Sequence, residues 1–302
     1  AYKMQEALVQ DKEIIRQLER ENRSAANQTR YIRDYSACPV YADTNTEYLT
    51  PGEKKFERML EELKKAERYI FLEYFIIDEG VMWDTILEIL REKAMKGVDV
   101  RVIYDDVGCI LTLPYGYEKE LERMGIKCCV FNPFVPVLSL RLNNRDHRKI
   151  AVIDGRIAFT GGINLADEYI NAYEKHGHWK DASIAIQGDA VWSLTVMFLS
   201  MWSFLRKEDE DYSAFKPVSE DTGCPESEGY VQPFADSPLD DEAVGETVYL
   251  NLIGEAKQYV YIYTPYLILD NEMNSALCMA AKRGVDVRIV TPHIPDKRSI
   301  HI

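Results

Sequence analysis

The stretch YIFLEYFII, residues 69–77, is a nearly continuous run of aromatic and aliphatic side chains. Such a run is typical of a strand that is buried on both faces of a sheet. A helical pattern follows in MWDTILEILREKAMKG, residues 82–97, whose final glycine is a typical helix stop. The next strand pattern is VDVRVIYDD, residues 98–106. Strand, helix and strand in this order predict a parallel βαβ unit and an α/β fold.

The same pattern returns later in the chain. The segment AERYIFLEYFII, residues 66–77, has a counterpart in AKQYVYIYTPYL, residues 256–267. An identical GVDVR follows each copy, at residues 97–101 and 284–288. A glycine before a β-branched strand is common by itself, but the matched strand upstream favours duplication over chance.

The repeat divides the chain into three predicted parts. Residues 1–50 are predicted to form a lead-in helix and a linker, and residues 51–215 the first repeat. Residues 216–302 are predicted to hold a linker and the incomplete start of the second repeat. The linker follows from residues 207–242, which are acidic and rich in Pro, Gly and Ser.

Composition limits the classes of partner. The chain of 302 residues is 46% hydrophobic, and its net charge of −14 repels polyanions, so nucleic acid is not an expected partner. Its six cysteines form no CxxC pair and no metal-ligand spacing with the five histidines. This indicates reduced thiols in the cytosol and neither a metal nor another cofactor. No apolar run reaches the length of about 20 residues that a membrane span needs. Without an initiator methionine or a signal-peptide pattern, the chain is expected to begin partway along a longer polypeptide.

Basic residues gather just before an apolar strand in NNRDHRKIAVIDG, residues 143–155. His147 and Lys149 share one face of this strand, so both side chains can approach a single anionic group. Arg145 and Arg148 add positive charge beside them. The segment therefore predicts a phosphate-attracting spot on a chain that otherwise repels phosphate.

The residues that follow complete a candidate phosphoryl site. Asp154 falls at the turn after the strand, Gly162 permits close approach of the backbone, and Asn164 offers its amide to an oxyanion. An isolated HxK pair is more often surface than catalytic. The joint spacing HxKx4D and GGxN instead predicts His147 as nucleophile or general acid, with Lys149 and Asn164 stabilising charge.

This combination resembles the signature of the phospholipase D superfamily, and in particular that of bacterial cardiolipin synthases. The resemblance is carried by HRKIAVIDG (residues 147–155), TGGINLADEY (residues 160–169) and GHWKD (residues 177–181), and it extends over nearly the whole chain. It implies an αβα sandwich with a mixed, largely parallel β-sheet, built as a tandem repeat whose second copy is truncated.

The resemblance also implies a mechanism. Two HxKx4D motifs meet across a pseudo-two-fold axis, where one histidine forms a phosphohistidine and the other protonates the leaving group. His147 is assigned as the nucleophile. Phosphatidylglycerol is both donor and acceptor, and the products are cardiolipin and glycerol. Because the second motif lies outside this chain, the chain is expected to be inactive unless two copies pair their sites.

Two aspartates have predicted supporting roles. Asp181 matches an aspartate of the family and is expected to accept a hydrogen bond from Nδ1 of His147. The alternative is a surface acid at a strand edge. Asp154 belongs to the catalytic signature, yet we expect it to bond to the backbone or to Lys149 and to orient the turn.

Two apolar segments raise the question of membrane contact. The segment FNPFVPVLSLRLNN, residues 131–144, is predicted to border the entry of the acyl chains and to touch the bilayer; the alternative is a buried segment below the site. Residues 191–205 are apolar at helical spacing and are predicted to be core. The expected location is the cytoplasmic face of the cell membrane, with membrane anchors upstream.

Three other functions remain open at this point. The same chemistry with water as acceptor gives a phospholipase D hydrolase. A nuclease of the superfamily is disfavoured by the net charge. A non-catalytic scaffold is opposed by the presence of His147, Lys149 and Asn164.

Overall fold

The computed structural model describes residues 2–134, 144–217, 227–236 and 242–294. The chain forms two compact units, each with its own core. Unit 1 comprises Ala1–Gln17 and Ala37–Pro233, and unit 2 comprises Leu18–Ser36 and Phe234–Ile302.

The described helices and strands alternate along most of the chain. Those of unit 1 are α1 (Tyr2–Ala7), β1 (Thr44–Leu49), α4 (Gly52–Lys65), β2 (Tyr69–Tyr74), α5 (Val81–Met95), β3 (Asp99–Asp105), α6 (Asp106–Cys109), α7 (Tyr117–Arg123), β4 (Lys127–Phe131), β5 (Ile150–Ile153), β6 (Ile157–Gly161), β7 (Ser183–Gly188) and α8 (Val191–Arg206). Those of unit 2 are α3 (Arg23–Ser36), α9 (Val244–Glu255), β8 (Tyr259–Tyr263), α10 (Asn271–Lys282) and β9 (Asp286–Val290). Helix α2 (Lys12–Glu21) crosses the division between the units.

The start of the chain differs from the single lead-in helix and linker predicted for residues 1–50. It forms three helices, α1, α2 and α3, and residues 44–49 form β1, which pairs with β7. A thin apolar stripe at helical spacing gives no signal for the breaks between successive helices. Strand β1, with the sequence TNTEYL, is mostly polar and lies at the sheet edge, so it lacks the apolar run that identifies a central strand.

The sheet of unit 1 is mixed, and the predicted α/β class is confirmed. Among the described residues it has seven strands in the order β1-β7-β6-β5-β2-β3-β4. Strand β3 pairs in parallel with both β2 and β4. The other neighbouring pairs, β1 with β7, β7 with β6, β6 with β5 and β5 with β2, are antiparallel. Parallel pairing is thus a smaller part of the sheet than the βαβ pattern suggested. The tight turn between β5 and β6 accounts for one of the four antiparallel pairs, because only antiparallel strands can be joined by so short a connection.

The core of unit 1 explains why the YIFLEYFII run is so apolar. Every residue of β2 is buried, since the strand lies between β3 and β5 and has helices on both faces. On one face Phe71 stacks on Phe198 of α8, with ring centroids 4.5 Å apart. Helix α8 is largely buried, which confirms the prediction that this apolar segment is core. Within the part of the chain that the structure describes, no helix is long and apolar enough to cross a membrane.

Unit 2 contains a smaller βαβ element. Strands β8 and β9 are parallel, with Tyr259 opposite Asp286. In unit 1 the corresponding residues of the two similar segments, Tyr69 and Asp99, are also opposite each other. The two segments therefore form the same element in the same register.

Asp154 holds the turn between β5 and β6 against the start of β2 through hydrogen bonds. Its backbone is left-handed, with φ of 55°, and its carboxylate accepts hydrogen bonds from the N–H groups of Glu67, Arg68 and Tyr69, each at 2.8 Å. The expectation that Asp154 binds backbone and orients the turn agrees with these contacts. It lies at the opposite end of β5 from His147, and its place among the catalytic residues stays a prediction.

Replacing Asp154 by Ala should lower the free energy of unfolding by about 2–4 kcal/mol, because three N–H groups lose a charged acceptor. Asp154→Asn should lose less, since Asn also tolerates a left-handed backbone. Urea unfolding measures both, with the exposed Asp84→Ala as control. Unchanged stability in Asp154→Ala would contradict this structural role.

Candidate active site

The candidate site lies at one edge of the sheet of unit 1. Strand pairing brings the ends of β2, β3 and β6 to the same edge as the starts of β5 and β7. The segment before β5 carries His147, whose imidazole is exposed. Its ring centroid lies 4.8 Å from that of Phe75, the residue after β2. An accessible imidazole supported by an aromatic ring is therefore available for chemistry at this edge.

Lys149 lies beside this histidine but is buried, with 5% of its surface exposed. Its Nζ donates to the backbone carbonyl of His147 at 2.6 Å and lies 5.5 Å from the centroid of the Phe75 ring. Burial lowers the pKa of Lys149 to about 8, and the carboxylates of Asp146 and Asp181 oppose this shift. The structure thus brings the predicted His147 and Lys149 together.

Arg148, which the sequence predicted to attract phosphate, contacts two carboxylates of the protein. Its guanidinium forms an ion pair of 2.7 Å with Glu73 and donates to Asp146 at 3.1 Å. Glu73 lies in β2 with no exposed surface. Burial raises the pKa of Glu73 well above its usual value, and Arg148 opposes this rise. Arg148 therefore neutralises a buried acid and holds the motif against β2.

Arg145 also pairs with a buried carboxylate. Its guanidinium donates to the carboxylate of Asp105 at 3.2 Å and to the carbonyl of Asn132 at 3.1 Å. Asp105, at the end of β3, is buried and also accepts from the N–H of Asp146 at 3.0 Å. Two buried carboxylates on β2 and β3 thus pair with Arg148 and Arg145, and attraction of phosphate by these arginines stays a prediction.

The side chain of Asn164 also forms hydrogen bonds within the protein. It is 2% exposed; its side-chain carbonyl accepts from the N–H of Ile76 at 3.0 Å, and its NH₂ donates to the hydroxyl of Tyr169 at 2.7 Å. The amide therefore joins the segment after β2 to the segment after β6. Both polar ends of the side chain have partners within the protein, and binding of the substrate phosphate by Asn164 stays a prediction.

Gly162 makes room for Asp181. Its N–H donates to the carbonyl of Ala182 at 3.0 Å. A Cβ at position 162 would lie 2.2 Å from a carboxylate oxygen of Asp181, so any larger residue would displace that carboxylate. The glycine therefore permits the position of the aspartate, and its role in binding phosphate stays a prediction.

Asp181 is half-buried before β7. Its carboxylate accepts from the N–H of Ala182 at 2.7 Å and from the indole N–H of Trp179 at 3.4 Å. Its backbone carbonyl accepts from the hydroxyl of Thr50 at 2.9 Å. These contacts disagree with a free surface acid, and the carboxylate raises the pKa of Lys149. The hydrogen bond from Nδ1 of His147 stays a prediction.

No sequence pattern predicted that Phe75 supports the imidazole. None predicted the buried Lys55 in α4, whose pKa Asp181 raises. The sequence did contain a signal for the carboxylate that pairs with Arg148. Glu73 interrupts an apolar run, and a charge inside a buried strand needs a partner of opposite charge.

Two further expectations bear on the surroundings of the site. Among the described residues, no group of three His, Cys, Asp or Glu side chains could hold a metal ion. Residues 135–143 lie outside the described residues, so the predicted membrane contact of the segment 131–144 stays a prediction. Phe134, which is described, is 44% exposed.

Comparison with known proteins gives consistent matches. The family model described as "Cardiolipin synthase, PLD-like domain" matches residues 59–195 and 249–301. An uncharacterised protein of Streptococcus mutans is 49% identical over 288 residues, which cover 95% of this chain and 62% of the relative. A cardiolipin synthase of Geobacillus kaustophilus is 37% identical over 266 residues, which cover 87% of this chain and 52% of the relative. The chain therefore spans about half the length of that cardiolipin synthase.

Structural comparison agrees on the fold. The crystal structure of phosphatidylserine synthase from Haemophilus influenzae has a TM-score of 0.60 and 15% sequence identity. The match covers 88% of this chain and 66% of that one. At this identity the likeness shows the fold alone, and it supports the predicted phospholipase D-like sandwich.

Replacing Arg148 by Met should lower the free energy of unfolding by about 3–5 kcal/mol, because Glu73 is left buried without its cation. Adding Glu73→Gln to this variant should restore part of the loss, since no buried charge then remains. Chemical denaturation of the single and double variants measures the coupling. If Arg148→Met kept full stability, Arg148 would be free for another role.

Anion binding at this site should weaken as pH rises through about 8, because Lys149 loses its charge there. Dimethyl phosphate is a suitable probe, since it keeps one negative charge over the whole range. Calorimetry should show affinity falling several-fold between about pH 7 and pH 9. Lys149→Met should already bind weakly at the lower pH. A flat profile in the unchanged protein would contradict the role of Lys149.

Proposed function

The chain belongs to the cardiolipin synthase PLD-like domain family, and we propose that it contributes the nucleophilic half of a phosphatidyltransferase. The proposed reaction converts two molecules of phosphatidylglycerol into cardiolipin and glycerol through a phosphohistidine. The observation that carries this proposal is the arrangement of His147 and Lys149. An exposed imidazole rests on Phe75, and a buried ammonium lies beside it.

The first step forms the phosphohistidine. A ring nitrogen of His147 attacks the phosphorus of one phosphatidylglycerol, and the bond from phosphorus to the headgroup glycerol oxygen breaks. A general acid gives a proton to that oxygen, and glycerol leaves. Lys149 stabilises the negative charge on the phosphoryl oxygens, because its ammonium is held in a partly desolvated place where charge interactions are strong.

The second step reverses the roles. A headgroup hydroxyl of the second phosphatidylglycerol attacks the same phosphorus and gives its proton to the group that acted as acid. The bond between His147 and phosphorus breaks, and cardiolipin forms. One phosphodiester is exchanged for another, so the reaction needs neither a nucleotide nor an oxidant. Asp181 is proposed to hold the other ring nitrogen of His147 in the orientation that attack requires.

The general acid is proposed to come from a second motif of the same kind. Support for a second repeat comes from unit 2, where β8, α10 and β9 reproduce the element and the register of β2, α5 and β3. The family model matches in both regions of the chain. Pairing of two copies of the site is the other arrangement that would supply a second histidine.

The proposed place of the reaction is the surface of the cell membrane on its cytoplasmic side. The substrates are bilayer lipids, so the site must meet them at a membrane surface. The thiols fit a reducing compartment, because no disulfide joins the cysteines in the described part of the chain.

Incubating the full-length protein with phosphatidylglycerol vesicles should release cardiolipin and glycerol in equal amounts. His147→Ala should reduce both by about a thousandfold or more, because the nucleophile is lost. Lipid chromatography and a glycerol assay measure the two products. The exposed His293→Ala serves as the control.

Two outcomes would contradict this proposal. Cardiolipin formation that survives His147→Ala would remove the histidine from the nucleophile role. Phosphatidic acid in place of cardiolipin would show that water is the acceptor and that the protein is a hydrolase.

A further inference from the structure

Lys55 is a second buried lysine near the site. It lies in the first turn of α4, on the face toward the sheet, and is 1% exposed. Its Nζ donates to the hydroxyl of Tyr74 at 3.1 Å and lies 4.9 Å from the centroid of that ring. Tyr74 is the last residue of β2 and directly precedes Phe75, the support of His147.

A lysine at this position is unfavourable for the fold alone. Burial lowers the pKa of Lys55 to about 7, which shows that its ammonium is poorly solvated there. Its neighbour on the same buried face of α4 is Met59, an apolar side chain of similar length. An apolar residue would satisfy packing at position 55 without the loss of hydration that a charge suffers. Such a buried titratable group next to a reactive edge is a candidate for function.

Asp181 links this lysine to the site. Its carboxylate raises the pKa of Lys55 and of Lys149, so it lies within electrostatic reach of both. Thr50, just before α4, donates to the backbone carbonyl of Asp181 and fixes that segment against the start of the helix. The groups that act on Lys55 among the described residues are thus Tyr74 from β2 and Asp181 from the segment before β7.

We propose that Lys55 is a positioning residue that acts through Asp181 and takes up a proton from solvent when a phosphodiester binds beside His147. This role rests on the proposed function. A bound anion adds negative charge close to Asp181, and that charge favours protonation of both lysines. The site then gains positive charge only while the anion is present. In the free protein, the two lysines avoid carrying two buried charges at the same time.

The test counts protons on binding. Glycerophosphoglycerol, the water-soluble headgroup phosphodiester, is titrated into the full-length protein by calorimetry at about pH 8, in buffers with different enthalpies of ionisation. The unchanged protein should take up more than one proton, shared between Lys55 and Lys149. The Lys55→Met variant should take up fewer protons, the difference being at most about one. It should also bind glycerophosphoglycerol about threefold to tenfold more weakly. The exposed Lys54→Met, the adjacent residue of α4, should match the unchanged protein.

Thermal unfolding separates this role from a purely structural one. The pKa of Lys55 in the folded state lies below its ordinary value of 10.5, so the unfolded chain binds more protons between about pH 7 and that value. Stability contributed by this group therefore rises with pH across that window, and the buried charge is most unfavourable at low pH. Lys55→Met should raise the unfolding midpoint by several degrees near pH 6 while it weakens binding. Tyr74→Phe should keep the fold and, because it removes the hydrogen-bond partner of Lys55, should also lower the proton count.

Each result decides the proposal. An unchanged proton count and affinity in Lys55→Met would overturn the role of Lys55 and leave the proposed function standing. Loss of both stability and binding in Lys55→Met, with an unchanged proton count in Tyr74→Phe, would show a structural role and overturn it as well. Absence of headgroup binding by the unchanged protein would overturn both proposals together.

Discussion

Burial of the acidic side chain of Glu73 constrains the active edge. Glu73 lies in a strand whose residues are all buried, where water cannot solvate a carboxylate, so a cation beside it is favourable. Arg148 meets this need. Side chains alternate along an extended segment, so the neighbours of Arg148 at positions 147 and 149 point away from Glu73. Both His147 and Lys149 reach Phe75, in agreement with this geometry. The buried ion pair thus determines which way the reactive pair points.

The remaining positive charge at the site is small and depends on pH. With both arginines neutralised, attraction of an anion depends on lysines whose pKa values burial has lowered. The net charge of −14 gives no long-range attraction to phosphate. Such a site suits a substrate that is delivered at a surface rather than captured from solution at low concentration.

The sequence predicted the fold class, the βαβ elements and the place of His147 beside Lys149, because each has a strong periodic or spacing signal. It did not predict contacts that depend on partners distant along the chain. Asn164 has the chemistry of an anion ligand, yet its amide joins Ile76 to Tyr169. Gly162 has the freedom to approach a phosphate, yet the space beside it holds Asp181. Spacing along a strand shows which residues share a face, but it does not show what the other strands place opposite them.

The contacts within the protein change how the motif is understood. His147 and Lys149 are the proposed reactive part, and most of the other residues of the motif hold the fold together. A nucleophile must be held within a fraction of an ångström of its attack geometry, which requires rigid neighbours. Asp154 fixes one end of β5 through three backbone N–H groups, and Arg148 fixes the other through Glu73. Loss of either support would displace the imidazole without removing it. The spacing of the motif therefore reflects the architecture that carries the histidine as much as the chemistry that the histidine performs.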